Sequence, residues 1–501
     1  MIEGYCTRRS YAAGESIDLH VSTDASRYAI AVERLGAAPE MVLEQAGITG
    51  AFHAVPPDAP VYGCDWPVAV CFGTETAWRS GFYRVRLIAE HGEESEAFFI
   101  LRAPEPRASI LWVIETNTWN AYNLFGGSST YAREEDFGTF GTGNVSASFE
   151  RPLSKGFITL PPGGHLRFAT VGPADVTIPY MGWAVEVGVS FWTGAASWSM
   201  QGARFARWLE EEGIAVDYAA SSDLEQFPDL LDGYRLMLSV GHDEYWSWGM
   251  RDTVEAFISN GGNAAFFSGN AAFWQVRFED DFRRMIAYKY KVDEDPVIST
   301  ADERRNTGMW SHRLTKRPEN QMTGLSFTRG GYARIAGATP ASAGGYTIYR
   351  KNHWALVGTG LAFGDQLGAS SSIIGYEVDG CEFDFRHGQP FPTGRDGTPG
   401  NFEIIGIAPA SLWSHETGPP GAYDDGFLPD LQLVCEQVEG NHRPETCARY
   451  EHGHACMGTY VSLGGGTVFS AGTTDWAYGL GDPQVATITR NVLSALGTHK
   501  G

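Results

Sequence analysis

The stretch that most restricts how this chain can fold is residues 234–270, YRLMLSVGHDEYWSWGMRDTVEAFISNGGNAAFFSGN. Leu236–Val240 is a short, unbroken apolar run, which suits a strand buried on both faces of a sheet. Gly241 interrupts it, and His242, Asp243 and Glu244 follow. Ser247 is placed to cap a helix, because its hydroxyl can accept a bond from an orphan amide of the first turn. Met250, Val254, Phe257 and Ile258 then recur at helical spacing, and Gly261-Gly262 supply the stop. Ala264–Ser268 is the next strand and runs into Gly269-Asn270. A β-α-β unit of this kind predicts an open α/β sheet, and such sheets bind ligands at the carboxyl ends of their strands. His242 and Glu244 stand two apart, so on an extended strand end they point the same way. With Asn270 they form the leading candidate site.

The remainder divides around this unit. Residues 1–104 read as all-β: Ile17, Leu19 and Val21 alternate with polar residues, as do Tyr28, Ile30 and Val32, then Tyr83, Val85 and Leu87. That pattern predicts an immunoglobulin-like β-sandwich. Arg102–Arg107 is the expected hinge to a second unit, 105–501, because proline ends strand pairing. Ser109–Ile114 begins the α/β pattern, and residues 138–200 show no clear period and are expected to be irregular with short strands. Further expectations are a helix over Gly202–Glu212, a helical segment near Phe282–Ala287 and strands at Tyr346–Tyr349, Trp354–Val357, Ile373–Val378 and Thr467–Ser470. The last helix begins at Asp482-Pro483, with Asp as cap and Pro at the first helical position.

At 501 residues the chain has room for two or three domains. A formal net charge of -23 argues against a nucleic-acid or anionic-membrane partner, since both need a basic surface. MIEGYCTRRSY lacks an apolar h-region and no run of about 18 apolar residues occurs, so a cytoplasmic location is expected. Seven cysteines without CxxC spacing fit free thiols.

Each chemical candidate has a plainer alternative. Glu244 could simply cap the next helix, and Asn270 could be a turn residue, since Asn tolerates left-handed geometry. Tyr122 and Tyr131 could be ordinary packed aromatics, because a tyrosine hydroxyl ionises only near pH 10 unless a strongly Lewis-acidic ion assists. Glu377 lies in an apolar run, where burial would raise its pKa and suit it to acid–base work, or it could point to solvent from an edge strand. His452-Gly453-His454-Ala455-Cys456 is weak zinc evidence without a partner cluster, and Gly358-Thr359-Gly360 lacks the third glycine of a dinucleotide fold. No GxxxxGK[ST], no GxSxG and no cysteine on a strand-to-helix elbow occurs.

Taken together, TNTWNAYN (116–123), GGSSTY (126–131), GHDEYWS (241–247), SGN (268–270), GTGLAFGD (358–365), GYEVDG (375–380), GGGTVFSAGTTDWAYGL (464–480) and ITRNVL (488–493) resemble the large (β) subunit family of N,N-dimethylformamidase. The resemblance spans about 106–500 and is weaker over the N-terminal part. It implies a flavodoxin-like domain related to class I glutamine amidotransferases, with a β-rich insertion and without that class's cysteine. It implies a mononuclear ferric iron held by Tyr122, Tyr131 and Glu244, with Tyr180 as the alternative to Tyr131. By the same motifs, His242 and Asn270 assist catalysis and Glu377 is the proposed base, while Asn123, Tyr245 and Trp246 are expected to bind substrate. GHDEYW departs from the family's best-known member between His and Glu and after Tyr, which leaves the substrate open. The expected activity is hydrolysis of a small N-substituted amide to an acid and an amine, with homo-oligomerisation and a possible small partner subunit. Trp119, Tyr245, Trp246 and Trp274 could line an apolar pocket, or simply pack the core. Two other classes remain: a carbohydrate-binding or structural protein with a degenerate amidotransferase-like domain, and a zinc hydrolase using His242, Glu244 and a further histidine.

Overall fold

The computed structural model describes residues 1–134, 141–161, 167–168, 178–335, 343–415, 417–418 and 427–498. The parts of the 138–200 stretch at 138–140, 162–166 and 169–177 lie outside the described residues.

The chain is a mixed α/β protein with several β-sheets. Eight strands come first: β1 (Ile2–Cys6), β2 (Ser10–Ala12), β3 (Ser16–Thr23), β4 (Arg27–Leu35), β5 (Glu40–Thr49), β6 (Val68–Gly73), β7 (Gly81–Ala89) and β8 (Glu94–Arg102). They form one sheet ordered β1-β3-β6 and another ordered β2-β8-β7-β4-β5. The alternating residues read from the sequence, among them Ile17, Leu19, Ile30, Val32, Val85 and Leu87, meet in one buried cluster shared by the two sheets. Phe82 and Phe98, on the opposite faces of their strands, instead join the core of the rest of the chain. Phe82 stacks on Trp198 with ring centres 4.0 Å apart.

The second part is built on β9 (Ile110–Ile114), β10 (Asp217–Ala220), β11 (Leu236–His242), β12 (Asn263–Gly269), β13 (Ser326–Tyr332), β14 (Glu377–Gly380), β15 (Glu403–Ser411), β16 (His452–Val461) and β17 (Thr467–Ser470). These lie in one sheet, in the order β10-β9-β11-β12-β17-β16-β15-β13-β14. The first five are mutually parallel and the rest pair antiparallel. Every residue of β9 and β11 is buried, as the continuous apolar runs require of a sheet covered on both faces. The direction of strand addition reverses between β9 and β11, so the sheet has its switch point there.

Helices α1 (Thr116–Tyr122), α2 (Ala203–Glu211), α3 (Trp248–Ser259), α4 (Asp430–Glu439) and α5 (Pro483–Gly497) complete the elements that matter below. Ser247 caps α3 as its sequence position indicates, accepting the Met250 amide at 3.3 Å. Asp482 caps α5 with Pro483 in its first turn.

Several local expectations are corrected. The Phe282–Ala287 segment is not helical: Arg284–Ile286 is a strand that returns along Trp274–Glu279. Asp280, Asp281 and Phe282 all have left-handed φ, which makes the turn between them. Trp354–Leu356 is a 3-10 turn rather than a strand, because His353 Nδ1 accepts the Ala355 amide at 3.2 Å. Of Ile373–Val378 only the end is strand; the preceding backbone bonds to loops, with the Gly375 carbonyl taking the Thr473 and Thr474 hydroxyls. The described part of 138–200 contains helix, Pro179–Val187 ended by Gly188 in the left-handed region, and a π turn at Trp198–Gly202.

Two glycines allow the sheet to close around its site. A Cβ on Gly269 would lie 2.7 Å from the Glu377 carbonyl, so only glycine lets β14 approach the end of β12. Gly331, at φ +101, ends the register shift of β13, after which Tyr332 pairs with both Glu377 and Ser411 and its hydroxyl reaches Asp430 at the start of α4.

Candidate active site

The carboxyl ends of β9, β11 and β12 deliver the acid, amide and first phenol of the site. β9 leads directly into α1, whose last residue is Tyr122. β11 ends at His242, and Glu244 follows two residues on, its amide donating to Thr118 Oγ1 at 3.0 Å. The same-side placement expected of His242 and Glu244 holds, with Nε2 3.4 Å from Oε2. Asn270 follows β12 at φ 48, a left-handed position that Asn takes more readily than most residues.

Two phenol oxygens and a carboxylate converge here. Tyr131 Oη lies 2.8 and 2.9 Å from the two carboxylate oxygens of Glu244, and Tyr122 Oη donates to Oε2 at 3.1 Å. The two phenol rings stack, centres 4.4 Å apart, and Trp192 packs against both. Tyr180 is elsewhere: its hydroxyl meets Thr193 Oγ1 at 2.5 Å and its ring packs on Phe168 and Trp183. Burial, then the Glu244 charge, holds both Tyr122 and Tyr131 well above the ordinary phenol range. Burial likewise pushes the Glu244 carboxyl up.

Beside this group runs a second chain of contacts. His242 Nε2 is 2.8 Å from Glu377 Oε2, and Asn270 Nδ2 donates to the same oxygen at 3.2 Å. The Glu377 carboxylate is therefore turned inward from the start of β14, and the solvent-facing alternative does not apply. Burial works against charge on His242, but Glu377 and Glu244 outweigh it and raise its pKa to about 9. On its far side Nδ1 faces the Ala195 carbonyl at 3.1 Å and the Tyr376 hydroxyl at 2.9 Å, which fixes the ring plane. Asp243, between His242 and Glu244, points the other way and accepts from Ser239 Oγ at 2.8 Å.

Tyr122, Tyr131, Glu244, Asn270 and Glu377 all open onto one cavity of about 90 Å³. Its remaining lining is mostly aromatic and includes Trp192, Trp274, Tyr290, Phe327, Tyr332 and Trp413. The three residues expected to bind substrate are not part of that lining. Asn123 is a structural hub, its Oδ1 accepting from Phe125, Ser154 N and Ser154 Oγ. Trp246 packs into the core on the other face of the sheet, and its indole donates to the Asp243 carbonyl. Tyr245 lies behind Tyr131 and accepts from Lys289 Nζ at 2.9 Å. Trp119 joins the core, while Trp274 does face the cavity.

Lys289, Trp192 and Asp430 belong to no motif read from the sequence, and Tyr376 only adjoins Glu377 in GYEVDG. Lys289 is buried, with Nζ 3.1 Å from the centre of the Tyr131 ring and a further bond to Thr130 Oγ1. Burial lowers its pKa well below the ordinary lysine range, against the opposing pull of Glu244. In MIAYKYKV (285–292) nothing distinguishes Lys289 from Lys291, so only the folded arrangement reveals it.

Tyr122, Tyr131 and Glu244 are the residues that could hold a metal. Their hard, anionic-capable oxygens fit a strongly Lewis-acidic cation, and the raised phenol pKa values mean that ionisation needs such a cation. Among the described residues no group of three or more His, Cys, Asp and Glu side chains could hold a metal ion. Nor is there a histidine in the described cavity lining to serve a zinc site.

An open α/β sheet with acids, an amide and phenols lining a cavity beside its switch point, and an imidazole against the two acids, defines a protein of the ligand-binding or catalytic α/β class. Residues 29–489 match the model of the family described as N,N-dimethylformamidase beta subunit-like, C-terminal. The chain belongs to that family. The match begins within β4, so it takes in most of the N-terminal strands, further than the motifs alone reached. The chain is 25% identical over 226 residues to the N,N-dimethylformamidase beta subunit of Alcaligenes sp, covering 42% of this chain and 28% of that protein. It is 36% identical over 70 residues to the corresponding beta subunit of Paracoccus aminophilus, covering 14% of this chain and 9% of that protein. The chain thus aligns with under a third of the length of either relative.

Proposed function

We propose that the protein is an iron-dependent hydrolase that cleaves the C–N bond of a small N-substituted amide. The observation that carries this reading is the meeting of Tyr122, Tyr131 and Glu244 oxygens beside Glu377, His242 and Asn270 in one buried cavity. Its strand order, second, first, third, fourth, fifth among the parallel strands, is that of flavodoxin-like sheets and supports the expected amidotransferase-like architecture. The names of the two relatives, both beta subunits of N,N-dimethylformamidase, support the substrate class and an assembly of more than one chain. No helix among the described residues is long and apolar enough to cross a membrane.

Tyr122, Tyr131 and Glu244 would hold the iron. When bound there, it supplies Lewis acidity that polarises a carbonyl and stabilises developing oxyanion charge. The rest is the work of the chain. Glu377 accepts a proton from the attacking water as the new C–O bond forms, then delivers it to nitrogen as the C–N bond breaks. His242, held by Tyr376 and Ala195, fixes the Glu377 carboxylate and carries positive charge next to it. Asn270 Nδ2 holds the same carboxylate, leaving its Oδ1 for substrate or water. The aromatic lining excludes bulk water, which strengthens each of these interactions. A cavity of about 90 Å³ restricts the substrate to a few heavy atoms, since a cavity of ~150 Å³ just admits benzene.

The test is metal content and visible spectrum of the purified protein, wild type beside Tyr122→Phe, followed by amine release from N,N-dialkylformamides. About one iron per chain, a broad visible band weakened by Tyr122→Phe, and amine release are expected. A colourless, iron-free protein after reconstitution, inert toward amides, would sink the reading and favour a binding module.

A further inference from the structure

The cavity has a second end. Ring contacts run continuously along its wall from Tyr131 through Tyr290 and Trp274 to Phe273, Phe327 and Tyr332. Tyr332 then stacks face to face on Trp413, centres 3.9 Å apart and planes within 10°. The Tyr332 hydroxyl donates to Asp430 Oδ2 at 3.1 Å, and Asp430 opens into the same cavity from the first turn of α4. That position suits an ionised carboxylate, because the amino end of a helix carries partial positive charge. Asp430 is the carboxylate of the described lining at this end, while Glu244 and Glu377, at the other, face His242 at 3.4 and 2.8 Å. Aromatic faces attract cations, and a carboxylate beside them adds to that attraction. The chemistry of this end is therefore that of a cation receptor, and it disfavours an anion.

We propose that Tyr332, Trp413 and Asp430 form a binding subsite for a small alkylammonium ion. The inference rests on the amidase reading for its occupant, which is the departing amine. An amide nitrogen is not basic, so the substrate enters neutral. Hydrolysis breaks the C–N bond and forms a C–O bond, giving a carboxylic acid and an amine; the acid's proton then passes to the amine, leaving carboxylate and ammonium. Only after cleavage does the nitrogen carry the charge this subsite selects. The products are thus drawn apart, the ammonium toward Asp430 and the carboxylate away from it. The substrates this predicts are amides of small, basic aliphatic amines, in preference to anilides, whose amines stay uncharged at neutral pH.

The probe is dimethylammonium chloride, titrated into the whole protein by calorimetry and tryptophan fluorescence, with 2-propanol as the neutral molecule of similar size and formate as the anion. Saturable binding of dimethylammonium but not of 2-propanol is expected, weakened about tenfold or more in Asp430→Asn, a change that does not weaken any response to formate. Trp413→Leu is the second variant, expected to weaken binding severalfold, and thermal melting confirms that each variant is folded. Amide hydrolysis without ammonium binding, or binding equal in wild type and both variants, overturns the subsite while the amidase reading stands. Ammonium binding with the predicted losses in a protein that hydrolyses no amide supports the subsite and overturns the amidase reading.

Discussion

Replacing Glu377 by glutamine is the most informative single change. The side chain keeps its shape, and its oxygen can still accept from Asn270 Nδ2 across the present 3.2 Å. What disappears is the carboxylate that lies 2.8 Å from His242, which among the described residues is not the one bonded to the two phenols. Losing a positioned general base costs about 10²–10⁴-fold in rate, or roughly 3–5 kcal/mol of transition-state stabilisation. Stability should suffer less. Removing one partner of a buried ion pair costs about 3–5 kcal/mol when nothing replaces it. Here Glu244 Oε2 remains 3.4 Å from the same His242 nitrogen, so the loss should fall below that range. The assay is amine release at saturating N,N-dialkylformamide, with elemental iron measured on the same sample. The expected result is a chain that melts cooperatively, retains its iron and turns over at least about a hundredfold more slowly. Undiminished turnover with unchanged iron would refute the assignment of Glu377 as base, and loss of iron would show that its role is to retain the metal.

Three other changes probe the site and its support. Tyr131→Phe removes a hydroxyl within 2.9 Å of both Glu244 oxygens and should lower iron per chain and the visible band, whereas Tyr180→Phe, which touches only Thr193 through its hydroxyl, should change neither; the reverse pattern would transfer the ligand role. His353 is held neutral, its pKa lowered to about 4 by burial and then by Arg350. It takes a proton in the unfolded chain below about pH 6.5 but in the fold only near pH 4, so stability should fall as pH drops across that window, by up to about 3 kcal/mol. Urea unfolding of His353→Asn, whose Oδ1 can still cap Ala355, should show a shallower fall; parallel curves would refute the linkage. Phe82→Ala removes a fully buried ring stacked on Trp198 and packed on Phe98, and should cost about 3–5 kcal/mol by denaturant unfolding; a loss under 1 kcal/mol or so would mean the two parts of the chain adhere without it.

What could be read from the sequence was local. The β11-α3-β12 unit is legible because an apolar run, a capping serine and a glycine stop each act within a few residues. His242, Glu244 and Asn270 follow, since each stands at a strand end. Glu377 was visible only as a carboxylate in an apolar run, and its inward direction depends on the close approach at Gly269. The strand pattern at Trp354–Val357 and the helical one near Phe282–Ala287 mislead because a histidine cap and a turn of left-handed residues override side-chain pattern. Tyr245 and Trp246 adjoin Glu244 in sequence, yet one lies behind the phenols and the other across the sheet. Lys289, Trp192 and Asp430 reach the site from segments far along the chain, where periodicity carries no information about direction.

The cavity has two walls of separate construction. Asn270 and Glu244 follow directly on the ends of parallel strands, and Tyr122 ends the short helix α1 that follows β9. Phe327, Tyr332, Trp413 and Asp430 come from the antiparallel half and the segment leading into α4. Under the proposed activity, reaction and selection are written in different stretches of the chain. A relative that handles another amide need only rewrite the second wall, and an engineer seeking a new substrate should randomise positions 327, 332, 413 and 430 while leaving the strand ends untouched.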